Sequence, residues 1–128
     1  IILTEQFREP VQYRVVDLPA GLVGDEGEPD PIATAKRELE EETGFKCDHV
    51  VLLASSPTSP GITSERVHFY RAKGLRQIGR GGGVAGEKIR VHLQPLDGIQ
   101  RWLEEKSADW DLIDVKIWAG LYFASQST

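Results

Sequence analysis

The sequence predicts an α+β fold, an α/β/α sandwich in which a mixed β-sheet supports one central helix and C-terminal helices follow. Strand-like stretches open the chain, one capped helical pattern comes next, and further strands precede two amphipathic helical patterns. A repeating βαβ fold would instead alternate strands and helices throughout. The 128 residues contain no internal repeat and no obvious linker, so we expect a single domain over residues 1–128.

The N-terminal part reads as two strands followed by a loop. β-rich stretches around residues 1–7 and 13–18 are separated by a break at Glu9-Pro10. The run GLVGDEGEPDP is dense in glycine, acid and proline, and therefore predicts a loop. Because the chain starts at Ile1, without a methionine and inside a strand-like run, we expect an N-terminal segment to be missing.

A helix is predicted from Asp30-Pro31 to about Thr43. Asp can cap the first free N–H groups, and Pro suits the first helical turn. Gly44 follows the last helical residue, where a left-handed C-cap favours glycine. The sequence therefore marks both ends of this helix.

The second half predicts three strands and two helices. The strands lie in FKCDHVVLLASS, RVHFYRAKGL and KIRVHLQPL, with a turn-rich loop, PTSPGITSE, between the first two. DGIQRWLEEK and DLIDVKIWAGLYFA have amphipathic helical patterns. The second of these helices is predicted to bury Leu112, Val115, Trp118, Ala119 and Phe123.

Charge and cysteine content indicate which partners and which cellular location to expect. The net charge of -5 argues against nucleic acid and against an anionic membrane as partners. The single cysteine, Cys47, cannot form an internal disulfide, and the sequence shows no signal segment and no membrane-spanning run. We therefore expect a reducing, cytoplasmic setting.

The stretch RELEEETGF, residues 37–45, crowds four glutamates onto the predicted helix. At about 100° per residue, Glu41 and Glu42 lie within about 60° of Glu38, and Glu40 points roughly the opposite way. We call Glu38, Glu41 and Glu42 the acidic wall. It is either a solvated acidic face, as charge runs often are, or a site for a cation. Acid at this end opposes the helix dipole, and neighbouring carboxylates repel one another unless a cation such as Mg²⁺ neutralises them.

The glycine-rich run GRGGGVAGEK is not a phosphate-binding P-loop. That motif requires Gly-Lys-Ser/Thr at the start of a helix, whereas here Glu87 follows Gly86 and a strand follows the run. The run instead predicts a mobile loop that carries Glu87 over the site. No Cys/His spacing typical of zinc and no nucleophilic triad is present in the sequence.

RELEEETGF resembles the second half of the Nudix box, Arg-Glu-apolar-x-Glu-Glu-x-Gly-apolar, of hydrolases that cut nucleoside diphosphates linked to another moiety. EQFRE, DLPAGLV, SSPTSPGITSE and GEKIRVHLQPLDGIQRWLEE are similar to segments of the ADP-ribose pyrophosphatase branch, so the resemblance covers the chain. One departure lies in the first half of the box. The gaps between Gly21, Glu28 and Arg37 are each one residue longer than usual, which leaves the role of Glu28 open.

The resemblance implies roles for particular residues. Glu38 and Glu42 would be the principal metal ligands, together with the backbone carbonyl of Ala20. Glu41 would be a third ligand or position the attacking water, and Glu87 is a candidate base, with a box glutamate as the alternative. The substrate-binding candidates are Arg8, Pro60, Gly61 and Glu65. Arg37, Gly21 and Gly44 are expected to support the site structurally.

The implied activity is Mg²⁺-dependent hydrolysis of the diphosphate bridge of ADP-ribose, giving AMP and ribose 5-phosphate, with Mn²⁺ as a possible substitute. Another nucleoside diphosphate sugar such as GDP-mannose is the alternative substrate. A non-catalytic module that binds a nucleotide is the alternative class. The resemblance also implies a homodimer with a small-molecule substrate.

Overall fold

The computed structural model describes residues 1–127, which form eight strands and three helices. In chain order the elements are β1 Ile2–Arg8, β2 Tyr13–Asp17, α1 Pro31–Thr43, β3 Phe45–Lys46, β4 His49–Pro57, β5 Arg66–Lys73, β6 Arg76–Gln77, β7 Arg90–Leu93, α2 Ile99–Ala108, β8 Leu112–Ile113 and α3 Val115–Gln126. The predicted α+β class is confirmed. Within these residues, no helix is both long enough and apolar enough to cross a membrane.

The main sheet has four strands in the order β7-β1-β2-β8. β1 runs antiparallel to β2 and β7, whereas β2 runs parallel to β8, so the sheet is mixed as predicted. In this register Glu5 lies opposite both Val16 and Arg90, and Leu3 lies opposite His92. Because directly opposed residues share a face, charged and apolar side chains meet on one side of the sheet.

The core is built on that same side. Its buried apolar residues are Leu3, Val16, Ile99, Leu103 and Ile117. They come from β1, β2, α2 and α3, so these two helices are held to the sheet by burial of apolar surface.

The burial predicted for α3 is wrong for three of its five residues, whereas Ala119 and Phe123 are partly buried. Leu112 lies in β8 and not in the helix, Val115 is 74% exposed, and Trp118 is also exposed, while Ile117 is fully buried. The physical reason is that β8 pairs with β2, so the helix starts later, at the Asp114 cap. The sequence pattern could not indicate this short parallel strand.

The predicted bounds of α1 are confirmed. The Asp30 side chain accepts a hydrogen bond from the N–H of Ile32 at 3.0 Å. Gly44 has φ 75° and donates its N–H to the carbonyl of Glu40 at 2.8 Å. Leu39 is buried, whereas Ile32 at the start of the helix is 45% exposed.

Two smaller antiparallel pairs complete the fold. The predicted strand over residues 45–56 is divided into β3, which pairs with β6, and β4, which pairs with β5. The β4–β5 ribbon ends in the loop 58–65, so Pro60, Gly61 and Glu65 lie at the tip of a hairpin. β6 has only two residues and was not predicted from the sequence.

Candidate active site

Glu42 lies in the last turn of α1 and is only 5% exposed. Its Oε2 accepts a hydrogen bond from the backbone N–H of Ala20 at 3.1 Å. Ala20 belongs to the Pro-Ala-Gly turn that follows β2, so this bond joins α1 to that turn. Gly21 allows the close approach, because a Cβ there would overlap the carboxyl group of Glu38.

Arg37 is shared by three carboxylates. Its Nη2 lies 2.7 Å from Glu38 Oε1, and its Nη1 lies 2.9 Å from Glu41 Oε2. Glu26, from the preceding loop, approaches the same Nη1 at 3.3 Å. The guanidinium group therefore holds two residues of the acidic wall, an arrangement that suits its predicted supporting role. The contact with Glu26 was not foreseen, since nothing in the sequence shows where that loop folds back.

The environment of the wall disfavours negative charge. Burial raises the pKa of Glu42 to about 7, and the charges of Glu38 and Glu87 act in the same direction. The hydrogen bond from Ala20 and the charge of Arg8 only partly oppose this rise in pKa. Burial also raises the pKa of Glu38, although Arg37 opposes it. Negative charge thus accumulates here beyond what the neighbouring cations neutralise.

Glu40 is placed differently from the other three glutamates. Its Oε2 lies 3.6 Å from Lys46 Nζ, and the two side chains are 40% and 51% exposed. An exposed ion pair of this kind contributes little to stability, about 1 kcal/mol or less. The structure therefore separates Glu40 from the acidic wall, as the helical spacing indicates.

The glycine-rich loop before β7 is anchored to the end of α1. The N–H groups of Gly82 and Gly83 donate to the carbonyls of Glu42 and Glu41, at 2.8 and 3.0 Å. These bonds satisfy carbonyls that the end of a helix leaves without partners. Gly82 and Gly83 are therefore anchored to α1, and the mobility of the loop stays a prediction. The signal in the sequence for an unusual backbone here was the run of three glycines, residues 81–83. All three adopt positive φ in the structure.

Glu87 is carried beside the wall by this loop. It is exposed, and its Oε2 accepts the N–H of Val84 at 2.8 Å. Its charge contributes to the raised pKa of both Glu38 and Glu42. The structure thus brings together a glutamate from the late loop and two from α1. Its role as a base stays a prediction.

The substrate-binding candidates fall into two groups. Arg8 ends β1, and its charge partly counters the rise in the pKa of Glu42, so it lies on the side of the acidic wall. Pro60, Gly61 and Glu65 are exposed at the hairpin tip, where Thr58 Oγ1 donates to Glu65 at 2.9 Å. Within residues 1–127, no hydrogen bond or ion pair joins these three to the wall.

The acidic wall fits a hard divalent cation such as Mg²⁺. Carboxylate and carbonyl oxygens are the ligands such a cation prefers, and Glu42 has a backbone N–H, not a cation, as its hydrogen-bond partner. Within residues 1–127, no three His, Cys, Asp or Glu side chains are already arranged to hold a metal ion. In this arrangement Glu38 and Glu41 contact Arg37, and Glu87 accepts the N–H of Val84.

The fold and the acidic helix define a NUDIX domain. A sequence model of the NUDIX domain matches residues 1–114, so the chain belongs to the NUDIX family. This confirms the resemblance carried by RELEEETGF. A solved structure, the crystal structure of an ADP compounds hydrolase, superposes with a TM-score of 0.77 at 22% identity over 98% of this chain and 64% of that one, which confirms the NUDIX fold.

The curated relatives include a protein named for the predicted branch. The chain is 39% identical over 107 residues to a methanol dehydrogenase activator of Bacillus methanolicus, covering 83% of this chain and 57% of that protein. It is 43% identical over 75 residues to an ADP-ribose pyrophosphatase of Bacillus subtilis, covering 59% of this chain and 40% of that protein. The chain thus spans about half the length of these relatives.

Proposed function

We propose that this chain carries a Mg²⁺-dependent hydrolase that cleaves the diphosphate bridge of ADP-ribose to AMP and ribose 5-phosphate. The observation that carries the proposal is the convergence of Glu38, Glu42 and Glu87 at a site where burial, added to by neighbouring carboxylates, raises the pKa of both box glutamates. A diphosphate adds further negative charge, so such a site gains most from a cation that both the protein and the substrate bind. The relative named ADP-ribose pyrophosphatase supports the choice of substrate.

Glu38, Glu42 and the carbonyl of Ala20 would hold Mg²⁺, and Mn²⁺ could replace it. When bound, the ion supplies charge neutralisation and lowers the pKa of coordinated water. Glu41 or Glu87 would accept the proton of the attacking water, since both are carboxylates beside the metal ligands. Arg37 keeps Glu38 and Glu41 in place.

Arg8 would bind a substrate phosphate, because its planar guanidinium group suits bidentate contact with phosphate oxygens. Pro60, Gly61 and Glu65 would have to approach the substrate from the hairpin tip. We keep them as candidates for the sugar or adenine side.

Two alternatives remain. Another nucleoside diphosphate sugar such as GDP-mannose would use the same carboxylates and differ only in its contacts to the base and sugar. A non-catalytic module that binds a nucleotide is favoured by one finding, the 39% identity to a protein named as an activator and not as a hydrolase.

One assay separates these possibilities. The chain is incubated with ADP-ribose, GDP-mannose and ADP-glucose, in Mg²⁺ and in EDTA, and nucleoside monophosphate is quantified by chromatography. We expect Mg²⁺-dependent AMP formation to be fastest with ADP-ribose. Faster turnover of GDP-mannose would show that GDP-mannose, and not ADP-ribose, is the preferred substrate. Tight nucleotide binding without turnover of any substrate would show that the chain is a non-catalytic binding module.

We also expect a homodimer in the cytoplasm. The support for the dimer is the outer face of α3, where Val115, Trp118 and Tyr122 are exposed at helical spacing. The support for a reducing location is Cys47, which is free and buried. Analytical ultracentrifugation of the wild type and Trp118→Lys tests the dimer. A wild-type monomer, or a dimer unchanged by the substitution, would contradict this interface.

A further inference from the structure

A second charged cluster lies on the sheet face that carries the apolar core. We call it the Glu5 cluster; its members are Glu5, Arg14, Arg90, His92, Lys106 and Asp111. Glu5 is 2% exposed and lies 2.6 Å from His92 Nε2 and 3.1 Å from Lys106 Nζ. Asp111, also buried, lies 2.9 Å from Lys106 Nζ. The two buried acids are therefore tied together through one lysine.

Two arginines enclose the same acids from the outside. Arg14 Nε donates to Asp111 Oδ1 at 3.1 Å, and its Nη1 lies 3.5 Å from Glu5 Oε1. Arg90 Nη1 lies 3.6 Å from the same Glu5 oxygen. The side chains of Arg14 and Arg90 are nevertheless 50% and 64% exposed. The acids hold one side of each guanidinium group and leave other N–H donors for a ligand.

The charges within the cluster support ionised acids. Burial would raise the pKa of Glu5, but hydrogen bonds from His92 and Lys106 outweigh it, and the pKa is lowered. Burial would lower the pKa of Lys106, but its bonds to Asp111 and Glu5 raise it. Glu5 and Lys106 are thus both held in their charged forms.

A cavity opens beside these arginines at the edge of β1. Pairing between β1 and β7 ends at Glu5 and Arg90, although β1 continues to Arg8. Residues of β1 and of the glycine-rich loop line an open cavity of about 470 Å³ here. Its lining includes Arg14, Lys88 and Arg90, together with Glu87. The cavity therefore joins the exposed arginines to the candidate catalytic loop.

The balance of charge in the lining of the cavity is positive. Arg14, Lys88 and Arg90 provide three cations, against the two carboxylates of Glu5 and Glu87. Lys106 and Asp111, which contact the same cluster, add one charge of each sign. The carboxylate of Glu87 accepts the N–H of Val84, which partly satisfies it within the loop. In a protein with a net charge of -5, a local excess of arginine and lysine beside a cavity favours an anion. Guanidinium groups held in fixed positions suit the oxygens of a phosphate group.

We propose that this cavity binds a phosphate group that is additional to the diphosphate bridge. The inference deepens the proposed function, on which it rests for its link to the substrate, because Glu87 lines the same cavity. The phosphate group is either a phosphomonoester on the sugar end of the substrate or a free phosphate ion. Both sources present the same oxygens to Arg14, Lys88 and Arg90.

The first experiment tests binding without turnover. Inorganic phosphate is titrated by calorimetry into the protein in EDTA, so that no metal recruits the anion to the acidic wall. We expect saturable binding that Arg90→Gln weakens at least tenfold. Arg101→Gln, which removes an exposed arginine of α2 outside the cavity, is the matched control and should leave binding unchanged. Circular dichroism verifies folding, and Lys88→Gln replaces Arg90→Gln if the latter does not fold.

The result that overturns the proposal is the absence of saturable binding, or equal binding by the wild type and the folded variant. Because this experiment needs neither metal nor hydrolysis, its outcome is independent of the proposed catalytic activity. A chain that binds phosphate through Arg90 but hydrolyses nothing would refute the hydrolase and keep the phosphate site.

A second experiment identifies the source of the phosphate. The value of kcat/KM is measured with Mg²⁺ for ADP-ribose and for ADP-ribose with a phosphomonoester on its terminal ribose. If the substrate supplies the group, Arg90→Gln lowers the ratio of the two values, phosphorylated over unmodified, about tenfold. If the ratio is unchanged while binding of inorganic phosphate is weakened, the site belongs to free phosphate. An unchanged ratio together with unchanged phosphate binding would refute both sources.

Discussion

Glu42 and Glu5 are two buried glutamates whose environments act in opposite directions. Glu42 is 5% exposed and Glu5 is 2% exposed. Burial and two neighbouring carboxylates raise the pKa of Glu42 to about 7. At Glu5 burial acts in the same direction, but His92 and Lys106 reverse it and lower the pKa. The degree of burial alone therefore does not determine the protonation of a buried acid; its charged neighbours decide it.

The difference also indicates which ligand each region accepts. Around Glu42 the carboxylates outnumber the cations that contact them, so a positively charged ligand would neutralise the site. Around Glu5 the cations outnumber the carboxylates, so a negatively charged ligand would do so. Under the two proposals, the acidic wall binds a metal ion and the cavity binds a phosphate group, and Glu87 is close to both.

The largest expected effect is on turnover by Glu42→Gln. We expect a loss of more than about 100-fold, since losing even an outer partner of a metal ligand typically costs 10- to 100-fold. Steady-state hydrolysis of ADP-ribose in Mg²⁺ measures it. Glu40→Gln is the matched control on the same helix and should retain activity within about twofold. Full activity of Glu42→Gln would show that the acidic wall is no more important for catalysis than Glu40.

The next effect is on the stability of the Glu5 cluster. Glu5→Gln should lower the free energy of unfolding at pH 7 by about 3 kcal/mol, because removing one partner of a buried ion pair leaves the other charges unpaired. The loss should shrink in acid, since a carboxyl group whose pKa is lowered on folding stabilises the protein only while it is ionised. Urea denaturation measures both quantities. Glu105→Gln, at an exposed position on α2, should change the free energy by less than about 0.5 kcal/mol.

Glu42→Gln should have the opposite effect on stability when metal is absent. Folding raises the pKa of Glu42 from 4.5 to about 7, so ionisation destabilises the folded state as the pH rises through this window. In EDTA the variant should be more stable than the wild type by up to about 3 kcal/mol at pH 8, with the gain vanishing near pH 4.5. Denaturation curves between pH 4.5 and 8 test this.

Addition of Mg²⁺ is the control for that prediction. The ion should stabilise the wild type more than the variant, because it binds only the folded ligand set. A variant that is less stable than the wild type in EDTA at pH 8 would show that the wall is not electrostatically strained.

The smallest predicted effect concerns the loop that supports the wall. Gly81 has φ 70°, and a Cβ there would overlap the backbone of Thr43, so Gly81→Ala should cost about 1 to 3 kcal/mol. Thermal unfolding measures the cost, and turnover should fall with it because the loop carries Glu87. Gly79→Ala is the control, since Gly79 has no positive φ and a Cβ at this position would meet no atom within 4 Å. Equal stability of both variants would show that the loop does not depend on this close contact.

The helix α1 and its glutamates could be predicted from the sequence because their geometry is local. Asp30, Pro31 and Gly44 mark the ends of the helix, and a fixed rotation per residue separates Glu40 from its neighbours. The burial of Glu42 could not be predicted, because its partner Ala20 lies 22 residues away in a different element. The anchoring of Gly82 and Gly83 depends likewise on where the chain returns.

The contacts of the Glu5 cluster were even harder to predict from the sequence than the burial of Glu42. A charged residue inside the β-rich stretch ILTEQF, and Arg and His in IRVHL, were visible signals, but neither identifies a partner. Strand register places Arg90 opposite Glu5, and the packing of α2 brings Lys106 to them. Spacing along single chain segments was sufficient to predict the α+β class, the family and the three-glutamate wall. Which buried acids are neutralised depends on tertiary contacts, since charges such as Arg14 and Asp111, 97 positions apart in the chain, meet only after the strands pair.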